Sequence, residues 1–141
     1  MRIISFGWTV EAFLADAKTC TRRDWKDWYA QAFHKGDRMQ AWDKLPRAGG
    51  CRIGTIELTE EPYISDQYPG MDYWEEGLRW MEDHGKTIQG VSPIEWWARW
   101  LERGDPYWVI RFRRIPWTNE MEDTNVKGNQ SQQTSPDRPR G

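Results

Sequence analysis

Cysteine is nearly missing from this chain, and the two that occur, Cys20 and Cys51, stand far apart and outside any Cys-x-x-Cys pair. That spacing excludes a disulfide scaffold and reads as free thiols in a reducing compartment, the cytoplasm. Histidine is as scarce: only His34 and His84 occur, so a zinc site would need four isolated residues to converge, and no metal or other cofactor is expected. No apolar run approaches membrane-spanning length, and residues 1–8 lack the long apolar segment and small-residue cleavage site of a signal peptide, so no membrane association is expected. An excess of charge of one sign is lacking too. The net charge is −2 with 30% charged residues, so any polyanion must be bound by a local patch rather than an overall basic field.

What is abundant is tryptophan, 11 in 141 residues. A buried indole N–H without a partner is costly, so several of these are expected half-buried at a surface or groove. The local basic patch is Lys18-Thr19-Cys20-Thr21-Arg22-Arg23, which sets an amine, two hydroxyls, a thiol and two guanidinium groups in six consecutive positions. Its threonines favour extended backbone, which puts Lys18, Cys20 and Arg22 on one side and Thr19, Thr21 and Arg23 on the other. Such a strand either holds a polar or anionic ligand or is a solvated edge.

Around this segment the periodicity predicts alternating elements. Residues 2–6 read as a strand ending at Gly7, and Thr9 caps a helix with Val10, Phe13, Leu14 and Ala17 at helical spacing. Asp24 caps a second helix carrying Trp25, Trp28, Tyr29, Ala32 and Phe33. Residues 38–43, 51–59 and 63–65 read as strands, with a phase break at Gly54 that suits a bulge. Asp72 followed by Glu75 opens a helix with Trp74, Leu78 and Met81 inward, stopped at Gly85.

Ser92-Pro93-Ile94-Glu95 is the clearest helix start, with Ile94, Trp97, Trp100 and Leu101 on one face and Gly104 at the end. Residues 107–114 then alternate, with Trp108, Ile110 and Phe112 inward and Arg111 and Arg113 outward. Beyond 117 the aliphatic and sulfur-containing apolar residues are only Met121 and Val126, so residues 118–141 are expected to form a disordered polar tail behind a single domain at 1–117. The order of elements gives an α+β class with a mostly antiparallel sheet, as a small curved sheet or partly closed β-barrel with helices on its rim.

The N-terminal helix leading into Lys-Thr-x-Thr-Arg-Arg, the Lys-Gly-Asp turn, the Gly-containing strand, the Ser-x-x-Glu helix and the final Tyr-Trp-Val-Ile-Arg-Phe strand together resemble the ASCH domain of the PUA-like superfamily, over roughly residues 1–115. The resemblance implies a small barrel with a cleft for RNA, nucleotides or modified nucleosides. Some small bacterial ASCH proteins are amidohydrolases that deacetylate N4-acetylcytidine with a Lys, a Thr and a later Glu. Carried over, Lys18 matches the base and Thr21 the nucleophile, while Gln89 stands at the position of the Glu. Glu82 and Asp83, at the preceding helix end, are the carboxylates that could reach in its place.

The leading expectation is an RNA- or nucleotide-binding domain. Lys18, Thr19, Thr21, Arg22 and Arg23 would form the contact segment, Trp25, Trp42 and Trp108 would supply stacking surface, and Arg111 would extend the basic face. An amidohydrolase acting on an acylated nucleoside is the alternative, and a protein-interaction module built on the tryptophans is the third reading.

Overall fold

The computed structural model describes residues 1–116, so the tail expected at 118–141 lies outside the described residues. Among the described residues the strands are β1 (Ile3–Ser5), β2 (Cys20–Arg23), β3 (Arg38–Trp42), β4 (Arg52–Leu58), β5 (Tyr63–Ser65) and β6 (Tyr107–Arg114). They form one sheet in the order β1-β3-β4-β6-β2, with β5 pairing β6 beyond the end of β4. β1 runs parallel to β3 and every other pairing is antiparallel, so the sheet is mixed but mostly antiparallel. The phase break near Gly54 is a bulge: Ala41 faces Gly54 and Trp42 faces Arg52, leaving Ile53 without a partner across the ladder.

The sheet curls into a half-barrel, in keeping with the small curved sheet or partly closed barrel that the order of elements suggests. β1 and β2 are the two ends of the strand path and share no ladder. Both are short, and the chain leaves β1 through Gly7, at φ 52°, into a 3-10 turn over Gly7–Thr9. A seam therefore remains between the two edge strands. It is bridged by a side chain: Arg23 Nη2 donates to the Ser5 carbonyl oxygen at 2.6 Å.

The concave face holds the main core, in which Ile4, Phe6, Phe13, Met39, Ile56, Ile110 and Phe112 pack together. Burying each such side chain contributes roughly 1.5–3 kcal/mol before conformational entropy is counted. A second cluster of Ala12, Tyr73, Leu78, Met81, Ile88 and Trp97 joins the helices to each other. Those helices are α1 (Val10–Leu14), α3 (Met71–Glu75), α4 (Leu78–Asp83) and α5 (Pro93–Arg103), whereas α2 (Asp27–Ala30) packs its Ala30 into the main core. Among the described residues no helix is long and apolar enough to cross a membrane.

α5 starts as its sequence dictates, with Ser92 Oγ accepting from the Glu95 N–H at 3.3 Å and Gly104 ending it at φ 62°. Its inward face is rotated from the expected one: Trp97 is buried and Trp96 and Trp100 half-buried, while Ile94 and Leu101 are exposed. α2 begins at Asp27, after Lys26 in the cap position, and not at Asp24. There the Asp27 carboxylate accepts the indole N–H of Trp108 at 3.1 Å.

The single helix expected from Asp72 to Gly85 is two helices. Gly77, at φ 92°, separates α3 from α4, and Trp74 turns outward. A Cβ on Gly77 would stand 2.7 Å from the Ala12 Cβ, so at this break α1 and the α3–α4 turn approach closely enough to require glycine.

Candidate functional site

β2 places the basic segment on the half-barrel's edge and the pleat divides it as its alternation predicts. Lys18, Cys20 and Arg22 turn toward the α3–α4 turn, while Thr21 and Arg23 bond to one another, Arg23 Nε donating to Thr21 Oγ1 at 3.1 Å. On the first side the helix break lowers Glu76 between two cations. Glu76 Oε1 accepts from Lys18 Nζ at 3.3 Å and Glu76 Oε2 from Arg22 Nη1 at 2.8 Å. Arg22 Nη2 then reaches Asp72 at 2.6 Å, and Arg111 joins Asp72 at 3.0 Å to Glu75 at 2.7 Å.

The result is an alternating chain of six charges, Lys18–Glu76–Arg22–Asp72–Arg111–Glu75, buried through most of its length. Removing one member of such a buried chain leaves an opposite charge uncompensated in low dielectric, which costs more than the intact pair gains.

The electrostatics follow from that arrangement. Burial pushes the Lys18 ammonium pKa down, against the attraction of Glu76. All three Lys18 N–H directions are used, on the Cys20 and Glu76 carbonyls at 2.8 and 2.9 Å and on the Glu76 carboxylate. Burial also opposes the charge on Arg22, but Glu76 and Asp72 outweigh it and its pKa lies above the ordinary value. The Cys20 thiol, desolvated and beside Glu76, is pushed up and stays protonated.

A cavity of about 310 Å³ opens at the seam between the two edge strands. Ser5, Phe6 and Gly7 line it from the end of β1, and Lys18, Thr21, Arg22 and Arg23 from the β2 side. Glu76 enters from the helix break, Leu78 and Ile88 form an apolar floor, and Trp8, Trp96 and Trp100 provide indole walls. Trp8 meets Trp96 edge to face, with ring centroids 4.9 Å apart, joining the turn after β1 to α5. Of the lining cations, Lys18 and Arg22 are paired with carboxylates, whereas Arg23 has none within 4 Å among the described residues. Among those residues no cluster of His, Cys, Asp and Glu could hold a metal ion.

The structure thus gathers Lys18, Thr21, Arg22 and Arg23 around one cavity and puts the other expected site residues elsewhere. Thr19 is exposed and stands just before β2, its N–H on the Glu75 carbonyl and its carbonyl accepting from the Phe112 N–H. Trp25 is stacked on Phe33, Trp42 donates its indole N–H to Gln40, and Trp108 is in the main core. Each of the three has a packing or hydrogen-bond role inside the fold, and none of them lines the cavity. Arg111 is held in the ionic chain by Asp72 and Glu75.

Gln89 is not at the cavity. It and Gly90 form the tip of a tight turn between the bridged residues Ile88 and Val91, both at positive φ, with the Gln89 side chain exposed. Glu82 accepts from the Tyr73 hydroxyl and Asp83 pairs with Arg79, so neither enters the cavity. The carboxylate that does is Glu76. One sequence signal for the missed wall is the adjacency of Trp96 and Trp97, because neighbours on a helix lie about 100° apart and cannot share one face. For Glu76 the signal is the following glycine, which allows the helix to break.

Comparison with protein-family models, curated proteins and solved structures found no match to this chain.

Proposed function

We propose that this chain is an ASCH-like domain of the PUA-like type whose seam cavity binds a ligand bearing a nucleobase, as a free nucleoside or as an exposed base of RNA. The observation that carries this reading is the convergence of Lys18, Thr21, Arg22 and Arg23 on one cavity walled by indoles. Its volume stands at the lower end of small-ligand sites, roughly 300–1,000 Å³, which suits one base or nucleoside. A base stacked on an aromatic wall gains about 1–3 kcal/mol, and Arg23 offers a cation whose partners are the Ser5 carbonyl and Thr21.

The test is a two-dimensional NMR titration with nucleosides and a short single-stranded RNA. Saturating shifts at the Trp8, Trp96 and Trp100 indoles and at the amides of residues 18–23 are expected, and silence of both groups would refute the reading.

One observation favours hydrolysis as a second reading: Glu76, paired with Lys18, lines the same cavity as Thr21 and offers there the carboxylate that residue 89 does not. The Thr21 hydroxyl would attack an acyl carbonyl, its proton would leave toward the Lys18–Glu76 pair, and the amine would depart protonated before water cleaves the ester. Lys18 already donates all three of its protons in the structure, so it acts as a base only after passing one to Glu76. Incubation with N4-acetylcytidine decides the matter: cytidine and acetate released by the wild type but not by Thr21→Ala support hydrolysis, and an unchanged substrate rules it out.

A further inference from the structure

Arg23 is the cavity cation that the ionic chain leaves out. Within that chain Lys18, Arg22 and Arg111 are matched one for one by Glu76, Asp72 and Glu75, and the exposed Glu60 stands 3.8 Å from Arg111, outside the cavity lining. Glu76, the carboxylate that lines the cavity, is flanked by Lys18 and Arg22, so its charge is already answered. Arg23 has no such partner: its guanidinium is held by two neutral acceptors, Thr21 Oγ1 at 3.1 Å and the Ser5 carbonyl at 2.6 Å, with no carboxylate within 4 Å among the described residues. Water satisfies N–H groups but brings no negative charge, so hydration of the seam leaves this imbalance in place.

The guanidinium belongs to the cavity wall. Both of its acceptors come from lining residues, and its central carbon lies 5.7 Å from the centroid of the Phe6 ring, which also lines the cavity. Its side chain is half-buried, whereas that of Arg22 is closed off at 1% exposure. Burial pushes the Arg23 pKa below its ordinary value, with Glu76 acting in the opposite sense. Burial also lowers the Lys18 pKa, and Arg23 adds to that effect, so the two cations oppose each other across the wall. An anion placed there relieves both costs.

Resting on the nucleobase reading above, we propose that the seam cavity is a nucleotide site, in which Arg23 takes a phosphate oxygen while the indoles take the base. A guanidinium donates charge-assisted hydrogen bonds to phosphate, roughly twice as strong as neutral ones. Thr21 and Ser5 fix Nε and Nη2, which orients the group in advance, and Nη1, with no acceptor among the described residues, retains its donors for a ligand. The phosphodiester of an RNA strand and the terminal phosphate of a free nucleotide share this chemistry and differ in source.

The experiment uses the full chain and titrates cytidine and adenosine, their 5′-monophosphates and the dinucleotides CpC and ApA at about 50 and about 200 mM salt, following the tryptophan indole and arginine Nε–H NMR signals. The expected result is that monophosphates, dinucleotides or both bind at least about tenfold tighter than the nucleoside, an advantage that shrinks at the higher salt. Arg23→Gln should remove that advantage while nucleoside affinity stays within about threefold. A gain confined to the dinucleotides assigns the phosphate to an RNA strand, and one confined to the monophosphates assigns it to a free nucleotide. A smaller advantage, or one that survives in Arg23→Gln, overturns the proposal and leaves the nucleobase reading standing. Because Arg23 also bridges the seam, its Nε–H signal in the wild type decides the matter if Arg23→Gln loses its fold or its nucleoside affinity. That signal should shift with the phosphate-bearing ligands, and one that stays still while they saturate the indoles overturns the proposal as well. If no signal responds to any of these ligands, the nucleobase reading fails together with the proposal.

Discussion

Replacing Gly77 by alanine tests whether the break between α3 and α4 is what sets the site. The added methyl meets two separate penalties. At φ 92° an L side chain crowds the backbone, at about 1–2 kcal/mol, and the new Cβ would lie 2.7 Å from the Ala12 Cβ and 3.3 Å from the Lys18 Cβ. All these atoms are fixed to backbone, so the overlap cannot be relieved by a rotamer change and adds about 1–3 kcal/mol of overpacking. The narrower unfolded ensemble of alanine offsets about 0.4–1 kcal/mol. The expected net loss is about 1–4.5 kcal/mol, a large part of the roughly 5–15 kcal/mol that a domain of this size has.

Urea unfolding followed by tryptophan fluorescence measures it, and Ala12→Gly separates the two causes. Ala12→Gly alone weakens α1 by about 1 kcal/mol. In the double variant the methyl–methyl overlap is gone, so the combined loss should fall short of the sum by about 1–3 kcal/mol. A Gly77→Ala protein within about 0.5 kcal/mol of wild type, or a double variant that is simply additive, would refute this account of the helix break.

Glu76→Gln should destabilise by about 3–5 kcal/mol, since Lys18 and Arg22 both lose their shared counter-charge, and calorimetric unfolding reads that loss. Trp96→Ala should weaken nucleoside affinity by about 1–3 kcal/mol in an equilibrium titration while leaving β2 and its NMR amides in place. Acid should act through Asp72. Burial opposes its ionisation, but the hydrogen bonds from Arg111 and Arg22 outweigh burial and hold its carboxyl below the usual range. A carboxyl depressed in the folded state supplies stability that is present above the unfolded value, about 3.9, and is lost as pH falls through the folded one. The urea midpoint should therefore drop below about pH 4, and Asp72→Asn should flatten that part of the profile at the expense of stability at neutral pH.

The readable parts of the sequence were those governed by neighbours along the chain. The 107–114 alternation became β6, and Ser92 with Glu95 started α5, because pleat and cap are local geometries. The β4 bulge was legible from one glycine out of phase. What stayed hidden depended on contacts between distant residues. Asp72 reads as a helix cap, yet its carboxylate is engaged by Arg22 and Arg111, 50 and 39 positions away, a pairing with no sequence period. Glu76-Gly77 lies in a stretch that reads as one helix, and the break there brings Glu76 to Lys18 and the Gly77 backbone against Ala12. The basic segment itself announced the polar side of the site. Its indole walls did not, because a tryptophan at helical spacing looks the same whether its ring faces core or cavity.

The seam also couples occupancy to the integrity of the chain's first strand. β1 has three residues, is tied by a ladder on one side to β3, and meets β2 through the Arg23 side chain and the Phe6 ring. Its amides should therefore open to solvent exchange before those of β4 and β6, which lie inside the sheet. A ligand bound between the two edges holds them together, so local opening of β1 must first release it. At a concentration one hundred times its dissociation constant such a ligand suppresses that opening by about 2.7 kcal/mol. Hydrogen exchange at residues 3–7 would then slow about a hundredfold, making the N-terminal strand a built-in gauge of how full the cavity is.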